Sequence, residues 1–131
     1  MICAISHITF IVQDMERSAL FFTKIFDAKE VYSGSKVKYF LINDLWIALN
    51  KGESLPERSY NHIAFQVRES EIDIYIARIK EVGAEFRPDR PTRIPGEGRS
   101  IYFYDFDNHL FELHTGTLDE RLQRYQKPKS L

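Results

Sequence analysis

The chain has a single cysteine, Cys3, in 131 residues. One thiol excludes an internal disulfide framework and fits a reducing compartment, so a cytoplasmic protein is expected. Cys3 sits at the start of a strand and is expected as a small core residue rather than a nucleophile. An excess of charge of either sign is also lacking. The formal net charge is −1, which argues against nucleic acid as a partner. No apolar run approaches membrane-spanning length, so no membrane partner is expected. Met1-Ile2-Cys3-Ala4 carries no basic segment of the kind that opens a secretory signal. What remains, 44% hydrophobic and 28% charged, is the composition of an ordinary globular chain. This length buries a sizeable core without covalent help, and one domain over residues 1–131 is expected.

Against those absences stands a repeat. Ser6-His7-Ile8-Thr9-Phe10-Ile11-Val12 reads like Asn61-His62-Ile63-Ala64-Phe65-Gln66-Val67. Downstream, Asn43-Asp44-Leu45-Trp46-Ile47 reads like Asn108-His109-Leu110-Phe111-Glu112, which pairs Ile47 with Glu112. The chain is therefore two similar modules, approximately 1–55 and 56–131, the second with extra length before its last strand.

Periodicity supplies the elements. Alternation over 5–12 puts Ile8, Phe10 and Val12 on one face and His7, Thr9 and Ile11 on the other. Asp14 is placed to cap a helix over 15–26 with Met15, Ala19, Phe22 and Phe26 as its stripe. Strands follow near 29–33, 37–42 and 45–50. Module two repeats the order: a strand over 61–67, a helix opened by a capping box at Ser70–Asp73 and ended by Gly83, and a strand near 84–87. The Pro- and Gly-rich stretch from Pro88 to Gly98 reads as an irregular loop that holds the extra length. Ser100–Tyr104 and Leu110–His114 form a last hairpin, and Thr117–Glu120 caps a short helix to about Tyr125. The class is α+β, two βαβββ modules forming a curled mixed sheet.

The repeat also carries chemistry. His7, His62 and Glu112 fall on polar strand faces that can meet between modules. Two imidazoles and a carboxylate make a divalent-metal site with positions left open for water or substrate. Nitrogen and oxygen donors without thiolate suit Mn²⁺, Zn²⁺, Fe²⁺, Co²⁺ or Ni²⁺. Arg93, Arg99 and Arg121, with Thr9, Trp46, Tyr60, Ser100 and Tyr102, form a cation and hydroxyl set suited to phosphate or phosphonate oxygens.

At these residues the chain resembles the vicinal oxygen chelate (glyoxalase/bleomycin resistance/dioxygenase) superfamily, and within it the fosfomycin resistance enzymes. The likeness covers nearly the whole chain. It is most specific over Gly96-Glu97-Gly98-Arg99-Ser100-Ile101-Tyr102-Phe103-Tyr104-Asp105 and Asn108-His109-Leu110-Phe111-Glu112-Leu113-His114-Thr115-Gly116, which are similar to the FosX branch. The resemblance implies His7, His62 and Glu112 as metal ligands, typically for manganese. It also implies a catalytic hydrogen bond from Thr9, and an antibiotic site lined by Trp46, Tyr60, Ser100, Tyr102 and Arg121, with Arg93 near a basic phosphonate-binding position. A homodimer is implied by fold analogy.

Two departures bear on the nucleophile. FosX enzymes carry a glutamate base just before the Lys-Phe-Phe-Leu-Ile strand, and Val37 stands there in this chain. Tyr39 matches a thiol-assisting tyrosine of the FosA and FosB transferases. The expected reaction is metal-assisted opening of the fosfomycin epoxide, by water first or by a low-molecular-weight thiol second. Glu97 and Glu53 are the other carboxylates to consider as base. The rival readings are a non-haem Fe(II) ring-cleaving dioxygenase or glyoxalase-type enzyme, for which His109 and His114 would be candidate acid–base groups, and a non-catalytic drug-binding protein.

Overall fold

The computed structural model describes residues 1–88 and 98–126, together with the backbone of 93–94. Module one runs β1 (His7–Val12), α1 (Met15–Phe26), β2 (Lys29–Ser33), β3 (Val37–Ile42) and β4 (Leu45–Lys51). Module two runs β5 (His62–Gln66), α2 (Ile72–Val82), β6 (Glu85–Phe86), β7 (Arg93–Ile94), β8 (Gly98–Tyr104) and β9 (Leu110–His114), followed by α3 (Leu118–Gln126). The class is α+β, with βαβββ order in the first half and the same order plus one short extra strand, β7, in the second. The strands divide into two sheets, one per module, ordered β1-β4-β3-β2 and β5-β9-β8-β6, with β7 on β8. In each sheet the first and last strands of the module pair in parallel and the hairpins are antiparallel.

Local chemistry sets the ends of these elements. Asp14 is extended, and its carboxylate accepts the Arg17 N–H at 3.1 Å, opening α1. Gly83 closes α2 at φ +84°, where a left-handed residue returns its N–H to the carbonyls of Ile79 and Lys80. The Thr117 hydroxyl accepts the Glu120 N–H and donates to its carboxylate, both at 3.1 Å, so α3 starts where expected.

Three expectations are corrected. Ser70 caps nothing: Glu69–Glu71 tighten into a 3-10 turn, which moves the start of α2 to Ile72 with Glu71 at the cap and no side-chain bond there. The stretch between Pro88 and Gly98 is not wholly irregular, because Arg93 and Ile94 pair with Arg99 and Gly98. Cys3 is exposed rather than core, since β1 begins only at His7 and leaves it outside the ladder.

One apolar cluster draws on both modules. It joins Phe10, Val12, Phe40, Ile47 and Leu49 of the first sheet to Ile101, Phe103, Phe111 and Leu113 of the second, through Phe21, Phe22, Ile25 and Phe26 of α1 and Ile79 of α2. Rings bridge the modules directly: Phe10 lies 5.3 Å from Phe111, and Phe26 5.0 Å from Phe65. Each buried Phe contributes roughly 1.5–3 kcal/mol of transfer free energy. Because side chains alternate along a strand, packing this face leaves the other face of each sheet available for a site. No helix among the described residues is long and apolar enough to cross a membrane.

Candidate metal centre

The second sheet builds the site on its non-core face. Register places Ala64 beside Glu112 and His62 beside Leu110 across the β5–β9 pair. Across β8–β9 it places Tyr102 beside Glu112 and Ser100 beside His114. His62, Ser100, Tyr102, Glu112 and His114 therefore share one face. At its edge, Gly98 starts β8 at φ +80°, and a Cβ there would meet the Gly116 nitrogen at 2.6 Å. Only glycine permits this close approach, which brings the start of β8 against the turn after β9.

Glu112 is the hub. Its carboxylate is buried, and among the described residues its ionic partners are the imidazoles of His62 and His114. His62 Nδ1 lies 2.7 Å from the Tyr60 carbonyl, which can only accept, so this nitrogen carries the proton. With Nδ1 so engaged, Nε2 is left facing Glu112 Oε1 at 2.9 Å. Either a proton or a cation can bridge these two atoms. Donors on one ion at roughly 2.0–2.2 Å and at right angles stand about 3 Å apart, so the spacing fits a shared divalent metal. Oε2 accepts the Ser100 hydroxyl at 2.7 Å, and Ser100 Oγ is 2.7 Å from His114 Nδ1. The Tyr102 hydroxyl is 3.1 Å from that of Tyr60. Burial first, then the bond to Tyr60 and the Glu112 charge, raise the Tyr102 phenol above its usual value, so it remains an O–H donor. Arg121 lines a cavity of about 220 Å³ with Glu112, His114, Ala64 and Thr117, which puts a guanidinium on the carboxylate's side of the sheet.

The first sheet carries the other half of the predicted set. His7 pairs with Trp46, and Thr9 with Ala48, which in turn pairs with Tyr39. The His7 and Trp46 rings lie 4.2 Å apart, and Tyr39 stands edge-on to Trp46 at 5.1 Å. The Trp46 indole N–H is buried without a partner among the described residues. His7 and Thr9 are exposed, and His7 Nδ1 contacts Ser6 Oγ at 3.0 Å. His7 is not gathered onto the His62–Glu112 pair: no group of three metal-ligating side chains forms among the described residues. One chain thus presents two half-sites, on two sheets that share a core on their opposite faces. The Arg93 side chain and Glu97 lie outside the described residues, and Glu53 is exposed.

The registers also correct the internal alignment. His7 aligns with Trp46 and His62 with Leu110, so the counterpart of Glu112 is Ala48 and not Ile47. Asn43 and Asn108 both adopt left-handed turns, at φ 53° and 70°, but the second hairpin loop is longer, and matching the asparagines slips the register by one residue. Sequence reasoning placed His114 on the site face yet missed its link to Ser100. The alternation Glu112-x-His114 opposite Ser100-x-Tyr102 was the available signal. His109 lies just ahead of β9, with Nδ1 2.7 Å from Asp105 and its ring edge-on to Phe10 at 4.9 Å.

Comparisons with known proteins agree with this architecture. Residues 4–113 match the Glyoxalase/Bleomycin resistance protein/Dioxygenase superfamily. The fosfomycin resistance protein FosX of Listeria innocua is 58% identical over 97% of this chain and all of its own length. The metallothiol transferase FosB of Shouchella clausii is 41% identical over 97% of this chain and 90% of its own. A point variant of the Listeria monocytogenes FosX protein, solved with Mn(II) and 1S,2S-dihydroxypropylphosphonic acid, superimposes with a TM-score of 0.90 at 60% identity, covering 96% of this chain and 100% of that one. The chain belongs to the glyoxalase/bleomycin resistance/dioxygenase superfamily and, within it, to the FosX group of fosfomycin resistance proteins.

Proposed function

We propose that this chain is a metal-dependent fosfomycin resistance enzyme that opens the antibiotic's epoxide, working as one domain over its whole length. The observation that carries the reading is His62 Nε2 held 2.9 Å from the buried Glu112 Oε1. A divalent ion, Mn(II) by likeness to the relative crystallised with it, would be held there and would supply Lewis-acid polarisation of the epoxide oxygen. Thr9 donates a hydrogen bond to the oxygen that develops charge. Arg121 pairs with the phosphonate, Ser100, Tyr60 and Tyr102 line the approach, and Arg93 adds a cation from the neighbouring loop. Trp46 walls the other side. The lone exposed thiol, Cys3, fits a reducing compartment such as the cytoplasm. His109 is turned to Asp105 and the core, which weakens the dioxygenase reading.

The third ligand, His7, comes from a second copy of the chain. Its place on the other sheet supports this, and a homodimer that sets sheet one of one copy against sheet two of the other would complete two sites at once. The apolar side chains of Leu118, Leu122 and Tyr125, exposed along α3 at helical spacing, fit such an assembly. Mixing His7→Ala with Glu112→Ala protein tests it. Each variant alone is inactive, and refolding the two together restores turnover through one intact site per mixed dimer. A mixture that stays inactive would place the site within a single chain.

Water is the preferred nucleophile, in keeping with the FosX relatives, and the product is then the diol phosphonate. A thiol is the second reading, favoured by Tyr39 in the row beside Trp46 and by Val37 where a base would stand. Mass spectrometry of fosfomycin incubated with the Mn(II)-loaded protein, with and without cellular thiols, distinguishes diol from thioether. Unaltered fosfomycin in every arm sinks the activity itself.

A further inference from the structure

We propose that His114 is a positioning residue for the metal centre: its Nδ1–H, acting through the Ser100 hydroxyl, holds the Glu112 carboxylate so that Oε1 faces His62. This inference rests on reading Glu112 as a metal ligand. The argument is a proton count. Ser100 has one hydroxyl proton, and two acceptor candidates stand 2.7 Å from its oxygen: Glu112 Oε2 and His114 Nδ1. A carboxylate can only accept, so the proton goes to Oε2. The Ser100 oxygen must then accept from Nδ1, so that nitrogen carries a proton. The opposite tautomer would compete with Glu112 for the same proton and leave the hydroxyl free to rotate. Nδ1 also lies 3.3 Å from Oε2, so the three groups close a triangle around one carboxylate oxygen.

The terminal torsion of a glutamate is broad and does not hold a ligand by itself. Hydrogen bonds to the oxygen that does not bind metal supply that restraint. The repeat carries an independent argument. By register, the module-one counterparts of Ser100, Glu112 and His114 are Val37, Ala48 and Asn50. The supporting pair thus occurs in the module that has the carboxylate, while the strand histidine recurs in module one, as His7, where the pair is absent.

The test is a Mn(II) titration read from the electron paramagnetic resonance signal of the free ion, alongside fosfomycin kinetics. Circular dichroism and melting curves establish that each variant folds. His114→Phe should weaken Mn(II) binding about 10–100-fold, the usual cost of removing an outer partner of a metal ligand. His114→Asn keeps a side-chain N–H near the Nδ1 position and should recover most of that loss. Ser100→Ala should weaken binding to a similar degree, and the double variant should lose less than the two single losses combined. Wild-type affinity in His114→Phe, failure of Asn to rescue, or strictly additive losses each overturn the relay. Glu112→Ala separates the two readings. If it binds Mn(II) as wild type does, the metal assignment and the relay fall together. If it loses Mn(II) while His114→Phe does not, only the relay falls.

Discussion

The two modules share a backbone plan and differ in what they hang on it. Register equates His7 with His62 and Tyr39 with Tyr102, so a histidine and a phenol recur at matching places on both site faces. It then equates Ala48 with Glu112, Val37 with Ser100, and Asn50 with His114. Module two has the carboxylate and its contacts to Ser100 and His114, whereas module one has the His7 imidazole beside Trp46, with Tyr39 next to that ring. A duplicated fold has become asymmetric by changing a few residues on one face. On the core faces one buried position differs in kind: Lys38 in module one stands where Ile101 stands in module two. Its ammonium is buried against Glu30 at 2.8 Å and Ser33 at 2.6 Å, with Glu16 at 3.6 Å.

The comparison breaks most sharply at Glu112. Replacing it with alanine makes the second site face resemble the first. Turnover of fosfomycin should fall by about 10³-fold or more, the several kcal/mol that Lewis-acid help supplies, and bound Mn(II) should disappear from elemental analysis. Retained metal would mean that the carboxylate is structural. The next largest effect is on stability. Phe111 touches the rings of Phe10, Phe21, Phe22, Phe26 and Phe103, so it joins both modules, whereas Phe40, among the described residues, meets only the ring of Phe22. Phe111→Ala should cost about 3–5 kcal/mol in denaturant unfolding, and Phe40→Ala should cost less. Equal losses would show that the two sheets are stabilised separately.

Lys38 sharpens the difference within the core. Its pKa is raised, first by the hydrogen bond to Glu30, against the opposing effect of burial. A raised folded-state pKa gives stability that is fully present below the unfolded value of 10.5 and is lost as pH rises through the folded value. Lys38→Met should therefore melt below the wild type at neutral pH, with the gap narrowing above pH 10.5. A gap independent of pH would make the side chain's contribution one of packing alone. The smallest expected effect is at the rim of the site. Arg121→Ala should raise the Michaelis constant for fosfomycin about ten-fold, as for a charge-assisted pair worth roughly 1.5–3 kcal/mol. Unchanged kinetics would return Arg121 to the surface.

Much of this was legible beforehand. The bounds of α1, the three strands that follow it, the Gly83 cap and the Thr117 cap all came from local patterns, because helix and strand periods and caps depend on near neighbours. The choice of His62 and Glu112 came from the repeat, and the structure brings them together. The start of α2 was misread because a 3-10 turn competes with a capping box for the same few residues. The counterpart of Glu112 was misread because identical Asn turns sit in hairpins of different length, and one residue of slip exchanges the faces of a strand.

By itself the sequence determined which side chains share a strand face, since alternation is a property of the chain alone. It could not determine where those faces go. Only the tertiary structure decided that α1 and α2 seal both sheets to one core, leaving His7 on one outward face and His62 with Glu112 on another. Apolar burial is non-directional and is satisfied by any arrangement that covers the core faces. The distances between polar faces are therefore set by long-range packing, which a repeat in the sequence does not encode.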